Sequence, residues 1–203
     1  MANTTWNPAD LSNVTLTGSN LIATVGTGTG GVRSVASLSS GKYYWENTWT
    51  TINTNTIVSG ISLASASISA PTTACAKVSR LNGHIFINNS DTGSTITGGS
   101  TVAPGSVVCC AVDFTAQLIW LRIGAAGQWN GSGTANPATA SGGLSITSIA
   151  GNLFAMMAGQ TSDRVTANFG DSAFTGTTPA GFTAGFPATG GSTANAVRVM
   201  VLA

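Results

Sequence analysis

Six carboxylates, one histidine and three cysteines are the groups with which this 203-residue chain could do acid–base, metal or nucleophilic chemistry. The carboxylates are Asp10, Glu46, Asp91, Asp113, Asp163 and Asp171. Hydrolysis of a glycosidic bond needs two carboxyl groups about 5–5.5 Å or about 6.5–9.5 Å apart. An E-x-D-x-E run would set carboxylates side by side on one face of a strand, and the chain has none. Asp113 falls at a predicted turn, Glu46 on a predicted strand and Asp91 in a polar stretch, so they read as turn formers and ion-pair partners. His84 follows Gly83 and reads as a solvated turn residue. Triads assemble in space rather than along the chain, but no acid–histidine–serine grouping is suggested near it. The prediction is of no catalytic residue.

Metal binding is disfavoured in the same way. No CxxC spacing accompanies the single histidine. Calcium takes about six to eight oxygen ligands, and the run Asn88-Asn89-Ser90-Asp91 offers oxygens with Asp91 as its only charge. No metal and no cofactor are predicted. The cysteines are Cys75, Cys109 and Cys110. Adjacent strand residues point to opposite faces, so Cys109 and Cys110 are expected not to bond each other. All three read as small buried apolar residues, with an interchain disulfide as the alternative.

What remains is binding chemistry. Trp129 lies in a small-residue loop and Trp49 at a strand end. A flat exposed ring there would stack on a sugar or anchor in a partner's pocket; for Trp129 the favoured reading is that it folds back over the edge of the domain, and for Trp49 the two stand even. With Asn89 and Asp91, the two tryptophans form the expected binding set.

These side chains must be positioned by strands, because no window carries a helical stripe. Short β-rich runs are punctuated by Gly, Asn, Ser and Pro clusters, the pattern of a sandwich or barrel. Strands are expected at 21–25, 32–36, 42–49, 56–63, 75–79, 84–88, 106–114, 117–123, 153–158 and 164–169. Residues 6–10 read as an opening loop and 90–104 as a polar loop, with a short strand at 95–97. Asn82-Gly83 is a hairpin signal. Alternation puts Tyr43, Trp45, Asn47 and Trp49 on one face of the 42–49 strand, with Asn47 interrupting the apolar run so that the strand is expected to leave the core there. The 106–114 and 117–123 runs are nearly continuously apolar and should lie centrally between two sheets. The Gly26–Gly31 turn lacks the following helix that phosphate binding requires. After a Gly-Gly-Ser link, Val197, Val199 and Val201 alternate on a terminal strand, expected to add to a neighbouring subunit's sheet edge, with pairing to the domain's own sheet as the alternative.

Composition narrows the class. Charged residues make up 6% of the chain and the net charge is +1. That removes the clustered Lys/Arg footprint of a nucleic-acid binder. The longest apolar stretch, 107–112, is far short of the roughly 18 residues of a membrane span. The first eleven residues lack the basic start and apolar run of a signal peptide, so synthesis in the cytoplasm is expected. So little charge suits a surface packed against copies of itself or a larger assembly.

The runs Gly31-Val32-Arg33-Ser34, Ser40-Gly41-Lys42-Tyr43-Tyr44-Trp45-Glu46, Ala111-Val112-Asp113-Phe114 with Leu118-Ile119-Trp120-Leu121, and Gly127-Gln128-Trp129-Asn130-Gly131 stand in this order along the chain. Together they resemble the SPRY (B30.2) family. The closing run Thr166-Ala167-Asn168-Phe169-Gly170-Asp171-Ser172-Ala173-Phe174, with Pro179-Ala180-Gly181-Phe182, resembles the form found in bacteriophage and prophage proteins. The chain departs from the family at Thr115 and Gln117 in the central turn, at Ile123-Gly124-Ala125-Ala126, and at Ser106. The resemblance implies an all-β, bent antiparallel β-sandwich, a concanavalin-like or SPRY-like jelly roll, over residues 1–187. Residues 188–203 would be the link and assembly arm. It implies Tyr43, Trp45, Trp120 and Phe169 as core anchors and a non-enzymatic binding role. The phage-like form implies a virion component: a capsid or tail decoration protein, short fibre or spike. Its partners would be copies of itself, other virion proteins and, in an adsorption role, a host surface glycan, with no nucleic acid and no membrane. A glycan hydrolase is the remaining alternative.

Overall fold

The structure, a computed structural model, describes residues 2–188. The expected terminal strand with Val197, Val199 and Val201 lies outside the described residues. Two sheets face each other. In spatial order the first is β1 (Trp6–Ser12), β4 (Thr29–Leu38), β13 (Leu153–Gln160), β6 (Val58–Ser62), β7 (Cys75–Ser79), β8 (His84–Ile87) and β9 (Ser90–Thr95). The second is β12 (Leu144–Ser145), β11 (Leu118–Ile123), β10 (Val107–Asp113), β5 (Lys42–Thr51), β14 (Arg164–Asn168), β3 (Ile22–Val25) and β2 (Val14–Thr17). These pairings are antiparallel; β15 (Thr183–Ala184) runs parallel to the start of β5, beyond the reach of β14. The result is the expected antiparallel β-sandwich.

The period-2 pattern of β5 decides what lies where. Tyr43, Trp45 and Trp49 enter the core between the sheets with Trp6, Phe169 and Phe186. Trp6 meets Phe169 edge-on at 5.0 Å and Trp45 meets Phe186 at 5.1 Å. Edge-to-face pairs of this kind contribute about 0.5–1.5 kcal/mol each beyond area burial. Asn47 does not release the strand: it is fully buried, and β5 continues to Thr51.

The opposite face of the second sheet is buried as well. Tyr44, Ala111 and Trp120 stand in register across β5, β10 and β11. With Cys109, Trp129 and Phe182 they form a second apolar cluster outside the sandwich. Trp120 is therefore an anchor of this outer layer, whereas Tyr43, Trp45 and Phe169 anchor the inner core. Segments 124–143 and 171–182 cover the sheet, and this is why β10 and β11 read as continuously apolar. Cys110 faces the inner core and Cys109 the outer cluster; all three cysteines are buried thiols.

Two stretches expected as loops are strands. Residues 6–10 belong to β1, and β9 covers Ser90–Thr95 rather than 95–97. Both lie at an edge of the first sheet, where a proline such as Pro8 and polar side chains are tolerated. Likewise β4 starts at Thr29, inside the expected glycine turn.

Candidate binding cleft

The expected binding set does not converge. Trp49 is fully buried, and its indole N–H donates to Ser59 Oγ at 2.8 Å inside the core. Trp129 begins a 3-10 turn, is 9% exposed and packs under the Arg122 guanidinium at 4.2 Å and against Tyr44 at 6.4 Å. Exposed stacking rings are thus corrected to structural ones, Trp129 by folding back over the sheet. Asn88 and Asn89 form the β8–β9 hairpin turn with φ of 47° and 68°, a left-handed pair that asparagine tolerates. Asp91 accepts from Gly93 N at 2.9 Å and pairs with His84 Nδ1 at 2.7 Å. The Gly93 amide and then His84 hold its carboxyl below the usual range.

Every other carboxylate also has a structural partner. Glu46 is buried on the outer face of β5, where Thr175 N at 2.9 Å, Gly176 N at 2.7 Å and the Tyr44 hydroxyl at 2.5 Å donate to it. It ties the 171–182 cover to the sheet; burial first, then hydrogen bonds with Cys109 and Glu46, drive the Tyr44 phenol's pKa upward. Asp113 accepts from Ala116 N and pairs with Lys42 at 3.1 Å. Buried Asp163 accepts from Asn53 N, Thr54 N, the Thr54 hydroxyl and Gln160 N. Asp10 takes a bidentate pair from Arg33 at 2.8 and 3.0 Å, and Asp171 accepts from Asn3. Among the described residues no group of three His, Cys, Asp or Glu side chains gathers as a metal site.

Sequence reasoning missed Asn130. Its amide spans Leu121 N, Ile119 O and Gly142 O at 2.9, 3.1 and 2.9 Å, pinning segment 124–143 to β11. The Asn130-Gly131 dipeptide, a turn signal, was the available cue, and Asn130 adopts a left-handed φ of 51°.

The first sheet carries its own cover. Segment 63–74 arches over β4, β6 and β13. Arg33 Nη1 holds the Ala66 carbonyl at 2.9 Å, Lys77 Nζ holds the Pro71 carbonyl, and Asn88 Oδ1 receives Ala74 N at 3.0 Å. Gly31 lets it approach: a Cβ there would sit 1.9 Å from the Ile68 carbonyl oxygen. Two neighbouring hollows lie on this face, and the cover walls the first of them. The first, of about 210 Å³, lies between Pro71, Thr72, Thr29 and Gln160. The other, of about 300 Å³, opens toward Ser79, Leu81, Phe86 and Asn89. Thr56, Val58 and Lys77 border both. Lys77 is half-buried, and desolvation lowers its pKa below the ordinary lysine value. Of the expected set only Asn89 borders these hollows. A wider depression, about 560 Å³, lies at the other end of the sandwich around Tyr43, Thr115 and the Lys42–Asp113 pair.

No family model matches the sequence, and no curated protein matches it. Solved structures do. The SPRY domain of human HERC1 superposes with a TM-score of 0.60 at 16% identity, covering 80% of this chain and 96% of that one. The TRIM65 PSpry domain superposes with a TM-score of 0.54 at 9% identity, covering 82% and 92%. At such identity the likeness is one of backbone, and the chain has a SPRY-like fold.

Proposed function

We propose that the chain is a non-enzymatic structural and binding protein of a bacteriophage virion, built on one SPRY-like domain. It would decorate the capsid or tail, or form a short fibre or spike, with copies of itself and other virion proteins as partners. The observation that carries the non-catalytic part is that all six carboxylates serve the fold, in ion pairs, hairpin turns and backbone anchors. A general acid or base must reach a substrate proton, and buried Glu46, Asp113 and Asp163 are directed at main chain, tyrosine and lysine instead. The virion part is supported by the resemblance of the closing run at 166–174 to phage and prophage forms, and by a surface poor in charge. Val197, Val199 and Val201 are proposed as the assembly arm.

The two hollows beside segment 63–74 favour a second reading, host adsorption through a surface glycan. Their border of hydroxyl and amide side chains suits a polyhydroxyl ligand. Quantitative mass spectrometry of gradient-purified particles tests the leading proposal. A fixed copy number per particle that survives a high-salt wash is expected. A chain that stays in the soluble fraction overturns it.

A further inference from the structure

Among the described residues Lys77 is an ammonium without a carboxylate. Every acid among them is engaged elsewhere: Asp10 with Arg33, Asp113 with Lys42, Asp91 with His84, and Glu46, Asp163 and Asp171 with amide and hydroxyl donors. A lysine head has three donors, and one of them meets the Pro71 carbonyl. The side chain borders both hollows, half removed from water, in a position that disfavours its charge unless an anion arrives. Around it the polar border is made of neutral side chains, Thr29, Thr56, Thr72, Ser79, Asn89 and Gln160.

We infer that this pair of hollows binds a carboxylated saccharide, with a hexuronate-type carboxylate on Lys77 Nζ and the ring hydroxyls on the surrounding hydroxyl and amide groups. Hydroxyls and amides both donate and accept, as sugar hydroxyls do. An acidic peptide would seek a free strand edge or a deep apolar pocket, and β6, β7 and β13 beneath the hollows are each paired on both sides. A phosphate would be expected on an arginine fork or a helix N-terminus, and a single ammonium stands here. Phe86 and Val58 offer the apolar contact for a ring face. The inference rests on the binding-module and glycan reading of the domain and is independent of its place in a particle.

The test is titration of the purified full chain with a short oligogalacturonate, read by calorimetry and by amide chemical shifts. Saturable binding is expected, with shifts at Lys77, Thr56 and Asn89. The carboxyl-reduced neutral oligomer should bind roughly tenfold more weakly, and Lys77→Met should lose about as much, with partial rescue by Lys77→Arg. The Lys77 side-chain pKa, followed by NMR, should rise on saturation. Equal affinity for the neutral oligomer, equal affinity in Lys77→Met, tighter binding of a glutamate oligomer or of inorganic phosphate, or no saturable binding overturns the inference. Should Lys77→Met not fold, the shift map of the unaltered chain decides: shifts gathered around Lys42 and Thr115 overturn it. A chain that is fixed in particles yet binds no oligogalacturonate sinks the saccharide while leaving the virion proposal standing.

Discussion

Asn47 stands among aromatic side chains on the inner face of β5, and neither its amide nitrogen nor its oxygen has a hydrogen-bond partner; the Trp45 indole N–H beside it has none either. A buried polar group left without a partner costs about 1–3 kcal/mol. Asn47→Leu, similar in shape and apolar, is therefore expected to raise stability by about 1–2 kcal/mol in urea unfolding, the added methyl volume taking back part of the gain. Lys77 gives a second residue-scale outcome. Its folded pKa lies below its unfolded value because burial disfavours the ammonium. Stability from this group is present above the unfolded value, near pH 10.4, and is lost as pH falls through the folded one. At neutral pH this burial opposes folding while the bond from Nζ to the Pro71 carbonyl supports it, so the parent should gain melting temperature relative to Lys77→Met as pH rises toward about 10.4. Tyr43, Trp45 and Phe169 were legible as core residues because aromatics at period 2 have few other places to go. The fold-back of Trp129 was legible from the resemblance, whereas Trp49 was not legible as buried: a ring at a strand end is covered or bare according to segments far away in sequence.

At the scale of elements, each sheet is finished by a covering segment, and each cover hangs on a few polar residues. Glu46 accepts charge-assisted bonds from the amides of Thr175 and Gly176. Glu46→Gln should destabilise the protein by about 1.5–3 kcal/mol, and hydrogen exchange should show those two amides losing protection first. On the other sheet, the Ile68 carbonyl leaves no room for a side chain at position 31. Gly31→Ala should destabilise by about 1–3 kcal/mol and open segment 63–74 to limited proteolysis, with the 124–143 cover unaffected. The central strands were readable because they bury a face or both. β1 and β9 were not, since an edge strand with one half-exposed face loses the alternation that marks a strand, and Pro8 and Gly93 read as breakers. The covers carry no period at all, and Glu46 and Asn130 pin them through contacts that span 129 residues in one case and 9 to 12 in the other.

For the whole molecule, the fold followed from short motifs at the right order and spacing, which is why the SPRY-like sandwich was expected and stands at identities of 16% and 9% to solved domains. The hollows did not follow, because the wall of the first is a segment of small residues and their key group is one lysine among seven cations. The sandwich closes on itself where Asn3 bridges Pro187 and Ala188 N bonds to Ala2 O. A chain ending at residue 188 should therefore keep the parent's melting temperature, while sedimentation shows it losing the self-association proposed for the 197–201 arm. A fall in melting temperature with unchanged mass would assign that arm to its own domain instead. The central claim, an outward-facing virion protein, is tested most directly by immunogold electron microscopy of intact purified particles with antibody against this chain. Regular label on the head, or at the tail, is predicted; particles without label, in a preparation where the soluble chain is readily detected, would contradict it.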